Sequence, residues 1–109
     1  MAKDDYFVIA YKVLRDLRTQ MKIGEYQQGS FTHETYGISR DYWERVLTLL
    51  FEDGYIKGIA LVPILGRIDK GVKIINPKIT IKGLEYLEDN SIFQKAKNFL
   101  KDVADILPM

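Results

Sequence analysis

Apolar residues near the start of the chain repeat at helical spacing. Between residues 7 and 21 they form one broad face, and mostly charged side chains lie opposite. These apolar residues are Phe7, Ile9, Ala10, Val13, Leu14, Leu17 and Met21. The pattern predicts a first helix that is capped by Asp4 or Asp5 and ends near Met21. Residues 22–29 contain two glycines and no apolar period, which predicts a loop.

A helix-turn-helix pattern follows this loop. Ser30 is expected to open a short helix that ends at Gly37, since glycine adopts the positive φ of a helix end at little cost. After a tight turn, Ser39 can cap a second helix by accepting hydrogen bonds from N–H groups that lack an intrahelical partner. This helix is expected to run to about Asp53, with Gly54 just past its end.

The second helix divides into an apolar and a charged face at about 100° per residue. Its apolar positions are Trp43, Val46, Leu47, Leu50 and Phe51, bordered by Tyr42 and Leu49. Because Trp43 lies at the centre of this stripe, we expect it to anchor the core and not to stack on a ligand. The solvent face is expected to consist of Asp41, Glu44, Arg45, Thr48 and Glu52.

Two short apolar runs, residues 55–65 and 72–81, predict β-strands. The stretch between them begins and ends with glycine, so we expect a hairpin whose tip carries Arg67 and Lys70. Pro63 predicts an edge position or a bulge, because its nitrogen cannot donate to a ladder.

Two further helices are predicted after the hairpin. Thr80 can cap the first of them, in which Gly83 allows close packing against the sheet. Its apolar positions are Ile81, Leu84 and Leu87. The last helix spans residues 92–107, and its apolar residues form a heptad seam of Phe93, Ala96, Leu100, Val103 and Leu107. We expect this helix to pack on the first one and to form a homodimer through the two terminal helices.

Length and composition predict one globular domain over residues 1–109, with 47% hydrophobic and 28% charged residues. The chain has no cysteine, which excludes disulfides and thiolate metal sites. The apolar run at residues 6–11 is too short to span a bilayer and does not resemble a signal peptide. We therefore expect a cytoplasmic protein that does not enter a membrane.

The net charge of +1 is unevenly distributed along the chain. Residues 56–83 carry six basic residues and one acidic residue, a net charge of +5, whereas the segments on either side each carry −2. The charged residues of this middle segment are Lys57, Arg67, Lys70, Lys73, Lys78, Lys82 and Asp69. Such asymmetry favours an anionic partner, although a hairpin that lysines merely solvate would show the same pattern.

Candidate catalytic groups are few. His33 is the only histidine, and its neighbour Glu34 completes neither a zinc site nor a nucleophile–base pair. Glu85, Glu88 and Asp89 have helical spacing, which is more typical of a solvated helix face than of a cation site. The glycines lack phosphate-loop spacing. We therefore expect a protein that is not an enzyme and needs neither metal nor cofactor.

Three segments resemble parts of bacterial winged-helix regulators: residues 36–39 the turn, residues 49–58 the end of the recognition helix, and residues 79–87 the cap of the helix after the wing. Over nearly its whole length, the chain is similar to the YjcQ-like family of small proteins from Gram-positive bacteria and their prophages. The resemblance implies an α+β winged helix-turn-helix fold with an N-terminal helix, a β-hairpin wing and additional C-terminal helices.

Two functions fit this sequence. The first is a DNA-binding transcriptional regulator of a phage or bacterium that binds double-stranded DNA without a cofactor. Its major-groove contacts would be Ser39, Arg40, Tyr42 and Arg45, and its wing contacts would be Arg67, Lys70 and Lys73. The second is a protein-interaction module whose basic hairpin binds an acidic protein surface. The first is favoured by the fold resemblance and the basic hairpin.

Overall fold

The computed structural model describes residues 5–24, 31–68 and 70–89, which form an α+β arrangement. Its elements are α1 (Tyr6–Ile23), α2 (Arg40–Glu52), β1 (Ile56–Val62), β2 (Gly71–Ile79) and a third helix, α3, at residues 81–89. Within the described ranges, β1 and β2 pair as a two-stranded antiparallel hairpin. The α+β class predicted from the sequence is confirmed, and the order of elements is compatible with a winged helix. The helix predicted at 92–107 lies outside the described residues.

The first helix begins and ends with capping interactions. Asp5 Oδ1 accepts a hydrogen bond from the Phe7 N–H at 2.9 Å, and Gly24 closes the helix with φ of 82°. The buried positions are Ile9, Ala10, Val13, Leu14 and Leu17. Phe7 and Met21 were expected on this face, but they are 58% and 53% exposed. They lie beyond the two ends of the buried stripe.

The short helix predicted from Ser30 to Gly37 is wrong. Residues 31–37 form turns in which N–H groups reach back three residues, and Ser30 lies outside the described residues. The Ile38 N–H donates to His33 O at 3.2 Å and Gly37 has φ of 68°, the pattern that closes a helix C-terminus. The segment contains a helix end without a helix body, because it is too short and its threonines and histidine favour helix weakly.

Trp43 anchors the core, as predicted. It is 4% exposed, its ring stacks on Tyr36 at 5.0 Å, and the Phe31 ring meets it edge-on at 5.0 Å. The Tyr36 hydroxyl donates to Asp16 Oδ2 at 2.6 Å. The turn segment is thereby attached to α2 through aromatic contacts and to α1 through a hydrogen bond.

A bulge interrupts the hairpin near its base. Lys57 pairs with Lys78 and Ile59 pairs with Ile74, so three β2 residues lie opposite the single β1 residue Gly58. Gly58 has φ of 85°. Pro63, for which an edge position or a bulge was expected, follows the end of β1, and the irregularity lies instead at Gly58.

The third helix begins against the end of α2. Thr80 Oγ1 accepts from the Gly83 N–H at 3.1 Å, which confirms the predicted cap. A Cβ on Gly83 would collide with Tyr55 O and the Ile79 side chain, so this glycine does permit the predicted close approach. Leu87 is buried, whereas Ile81, expected beside it, is 75% exposed.

Candidate nucleic-acid interface

The outward face of α2 carries both charge signs. Arg40, Asp41, Arg45 and Glu52 are exposed, as their spacing predicts. Glu44 is only 7% exposed, so its predicted place on the solvent face is wrong. The loop between the two strands packs over this carboxylate, which single-helix periodicity cannot anticipate.

Glu44 links α2 to the hairpin loop and to the start of β2. Its Oε2 accepts a hydrogen bond from the Val72 N–H at 2.8 Å, and its Oε1 lies 3.7 Å from Arg67 Nη1. The Arg67 Nη2 lies 3.6 Å from Asp41 Oδ1. One guanidinium therefore bridges two carboxylates on successive turns of α2, and the loop is held against the helix.

The structure brings three of the predicted contact residues to one groove. Arg45 of α2 and Arg67 and Lys70 of the loop line a cavity of about 310 Å³, together with Asp41, Glu44, Thr48, Leu49 and Glu52. We name this cavity the α2–loop groove. Its charged lining contains three basic and three acidic side chains, so the groove is close to neutral.

The other predicted contact residues are placed differently. Ser39 Oγ accepts from the Tyr42 N–H at 3.2 Å, so its hydroxyl is engaged as the cap of α2. The Tyr42 side chain packs against the core and is half-buried. Arg40 is exposed on the first turn of α2. Lys73 is exposed on β2 opposite Ala60 and does not line the groove.

Two features of the hairpin were missed from the sequence. Lys57 and Lys78 are exposed and lie directly opposite each other, a pairing that depends on the strand register. Leu65 and Ile68 are fully exposed at the hairpin tip. The sequence placed Leu65 at the end of a strand, although Pro63 and Gly66 were both signals that the strand ends earlier.

Among the described residues, the side chains that were considered for catalysis or metal binding do not gather into one site. The His33 Nδ1 lies 3.0 Å from Ile38 O, a contact within the turn segment. Across the part of the chain that the structure describes, no three His, Asp or Glu side chains gather closely enough to hold a metal ion. Within the same ranges, no helix is both long and apolar enough to cross a membrane.

The chain forms a small α+β protein. Its α2 helix and hairpin loop together present a surface that carries both charge signs. The chain belongs to the YjcQ family, described as YjcQ protein, whose model matches residues 11–106. This confirms the resemblance to the YjcQ-like family that the sequence shows over nearly its whole length. No curated protein and no solved structure matches the chain.

Proposed function

We propose that this YjcQ-family protein is a winged-helix DNA-binding protein that regulates transcription in a bacterium or its phage. In this proposal α2 is the recognition helix and the β1–β2 hairpin is the wing. The observation that carries the proposal is the α2–loop groove, where Arg45 from the helix and Lys70 from the hairpin border one surface. A helix and a wing that approach the same duplex need such a shared border.

Because the basic and acidic side chains of the α2–loop groove nearly cancel, we expect its affinity for DNA to be modest. Arg67 compensates two carboxylates of α2, so we assign it to holding the wing and not to a phosphate. Arg40, Arg45, Lys70 and Lys73 are the remaining candidates for phosphate contacts. About three or four such contacts predict a logarithmic salt dependence with a slope of roughly −3.

The test is anisotropy titration of a random-sequence duplex over a range of salt concentrations. Lys70→Gln/Lys73→Gln should make the slope less steep by about 2, because each lost phosphate contact removes nearly one unit. Lys57→Gln/Lys78→Gln removes the same charge at the hairpin base and is the matched control. Arg67 is left intact so that the wing keeps its position.

Two results would contradict DNA binding through the wing. The first is a duplex that does not bind at low salt. The second is an equal loss of slope in both double variants, which would indicate a response to net charge alone.

A protein-interaction module is the second candidate. Its supporting observation is the hairpin tip, where Leu65 and Ile68 are fully exposed beside basic residues. Such a tip fits a partner surface that is acidic around an apolar centre. A duplex that does not bind at low salt would favour this candidate. In both cases we propose a cytoplasmic, non-enzymatic protein that acts by binding.

A further inference from the structure

A second cavity lies on the other side of the hairpin base. Its volume is about 520 Å³, and it separates the C-terminal end of α1 from the bulged part of the two strands. The lining side chains that matter here are Leu17, Gln20, Met21, Lys57, Pro77 and Lys78. We call it the α1–hairpin cavity. It shares no residue with the α2–loop groove.

Two lysines give this cavity a positive wall. Lys57 and Lys78 are directly opposite each other across the strands, and like charges in that position repel. Neither lysine takes part in an ion pair between described residues. The C-terminal end of α1 contributes about half a negative charge, which is smaller than the two positive charges. An anionic group between the lysines would therefore be stabilised.

The α1 side of the cavity supplies apolar surface and an amide. Met21 is 53% exposed although the sequence pattern placed it in the core, and Pro77 faces the cavity from the bulge. Gln20 Oε1 is buried and has no hydrogen-bond donor among the described residues. An acceptor in this state needs an explanation, since buried polar atoms are nearly always paired. Rotation of the Gln20 side-chain amide so that Oε1 faces the cavity would break no hydrogen bond to that atom.

The bulge shapes the cavity wall. Because three residues of β2 lie opposite Gly58, the chain at Asn76 and Pro77 is displaced from a regular ladder. Asn76, Pro77 and Lys78 all line the cavity. Bulges of this kind re-aim side chains and are frequent next to binding sites.

We propose that the α1–hairpin cavity binds a small organic anion that has an apolar body and a hydroxyl donor. The anionic group binds between Lys57 and Lys78, and the body lies mainly on the exposed Met21 side chain, bordered by Leu17 and Pro77. The hydroxyl donates to Gln20 Oε1 after the Gln20 amide has turned toward the cavity. This site is independent of the proposed DNA-binding function.

Three probes of nearly equal size separate these contributions. They are 3-(4-hydroxyphenyl)propionate, the same acid without its hydroxyl, and the neutral amide of the hydroxy acid. The measurement is the NMR shift of the Met21 methyl group in the full chain during titration. We expect saturable binding of the hydroxy acid, affinity weaker by about tenfold or more for the amide, and an intermediate loss without the hydroxyl.

Variants matched in charge or size test which residues bind the hydroxy acid. Lys57→Gln/Lys78→Gln should weaken binding of the hydroxy acid to the level seen for the amide. Lys70→Gln/Lys73→Gln should bind the hydroxy acid as tightly as the parent protein does. Gln20→Met, which is similar in size, should bind the two acids equally well. Thermal melting of each variant identifies any that is unfolded, and the probe series on the parent protein tests the proposal without any substitution.

Several outcomes would overturn the proposal: a Met21 shift that does not saturate, an amide that binds as tightly as the acid, or equal losses in the two lysine pairs. The DNA titration above uses the same two pairs with the opposite expectation. Failure of one proposal is therefore distinguishable from failure of the other.

Discussion

Glu44 shows how one carboxylate can position a hairpin. Removing an ionised carboxylate from water is costly unless hydrogen bonds and opposite charge replace the water. Here the Val72 N–H of β2 and the Arg67 guanidinium of the loop fill that role. Asp41 also faces Arg67, but its side chain is 71% exposed, so water screens that pair.

Because the Glu44 side chain is buried and the Asp41 side chain is exposed, substituting them should lower the free energy of unfolding by different amounts. Glu44→Ala leaves the Val72 N–H without its acceptor and should lower the free energy of unfolding by about 1 to 3 kcal/mol. Asp41→Ala, the matched control, should change it by at most about 1 kcal/mol. Urea denaturation of both variants measures these changes. Equal effects would show that Glu44 acts only as a surface charge.

The ionisation of the Tyr36 hydroxyl is coupled to the stability of the fold, because its pKa differs between the folded and unfolded chain. Burial is the largest cause that raises the pKa of its hydroxyl above the ordinary 10.0, followed by the hydrogen bond to Asp16, and nearby Arg15 acts in the opposite direction. Below pH 10 the tyrosine is neutral in both the folded and the unfolded chain. Above that pH the unfolded chain loses the proton first, so stability falls as pH rises.

The corresponding prediction concerns alkaline denaturation. Tyr36→Phe should cost about 1 to 2 kcal/mol at neutral pH through the lost hydrogen bond. The variant should then lose stability less steeply than the parent above pH 10, because the group responsible is gone. Urea midpoints between pH 8 and 11 provide the measurement, and Tyr11→Phe serves as a control that keeps Tyr36. Parallel profiles for the parent and Tyr36→Phe would contradict this assignment.

At the scale of elements, the hairpin depends on a glycine at one position. Gly58 and Gly66 have nearly the same positive φ, 85° and 82°. A Cβ on Gly58 would collide with the Asn76 backbone carbonyl, whereas one on Gly66 would meet nothing within 4 Å. The two sites therefore separate the cost of positive φ from the cost of lost space.

Alanine substitution at both sites measures that separation. Gly66→Ala should cost about 1 to 2 kcal/mol, the penalty for a left-handed residue with a side chain. Gly58→Ala should cost about 1 to 3 kcal/mol more, because the obstructing atoms belong to the backbone and cannot rotate away. Thermal unfolding compares the two, and a Gly58→Ala variant as stable as Gly66→Ala would mean that the strands pair without the bulge.

Elements whose ends carry their own signals were predicted well from the sequence. Asp5, Ser39 and Thr80 each cap a helix where expected, because capping needs only neighbouring residues. The bulge depends on contacts between residues that are distant in the sequence. The environment of Glu44 has the same cause. For the candidate site, the sequence therefore identified the basic side chains but not which carboxylates neutralise them.

For the whole molecule, the oligomeric state stays a prediction. The heptad seam at 92–107 lies outside the described residues, but α1 adds one observation. Phe7 is 58% exposed and lies edge-on to Tyr6, whose pKa is raised by burial and by Asp53. Phe7 therefore lies on the α1 surface that the expected dimer would bury.

We expect a homodimer through the terminal helices. Sedimentation equilibrium at micromolar concentration should give about twice the chain mass of 12.6 kDa, and Leu100→Asp should return it to one chain mass. Lys101→Asp adds an acidic residue outside the seam and is the control, which should remain dimeric. A mass of one chain at all concentrations would exclude the dimer.

Thr80 marks the place where the chain returns from the hairpin. Its hydroxyl donates to the Gly54 carbonyl oxygen at 2.5 Å, and its N–H donates to Tyr55 O at 3.1 Å. The chain thus leaves for the hairpin and comes back at one junction, where α2 ends and α3 begins. The residues that are free to vary are those that neither this junction nor α2 uses, such as the fully exposed Leu65 and Ile68 at the tip. Related proteins that change only these residues would diversify one surface while inheriting the same scaffold.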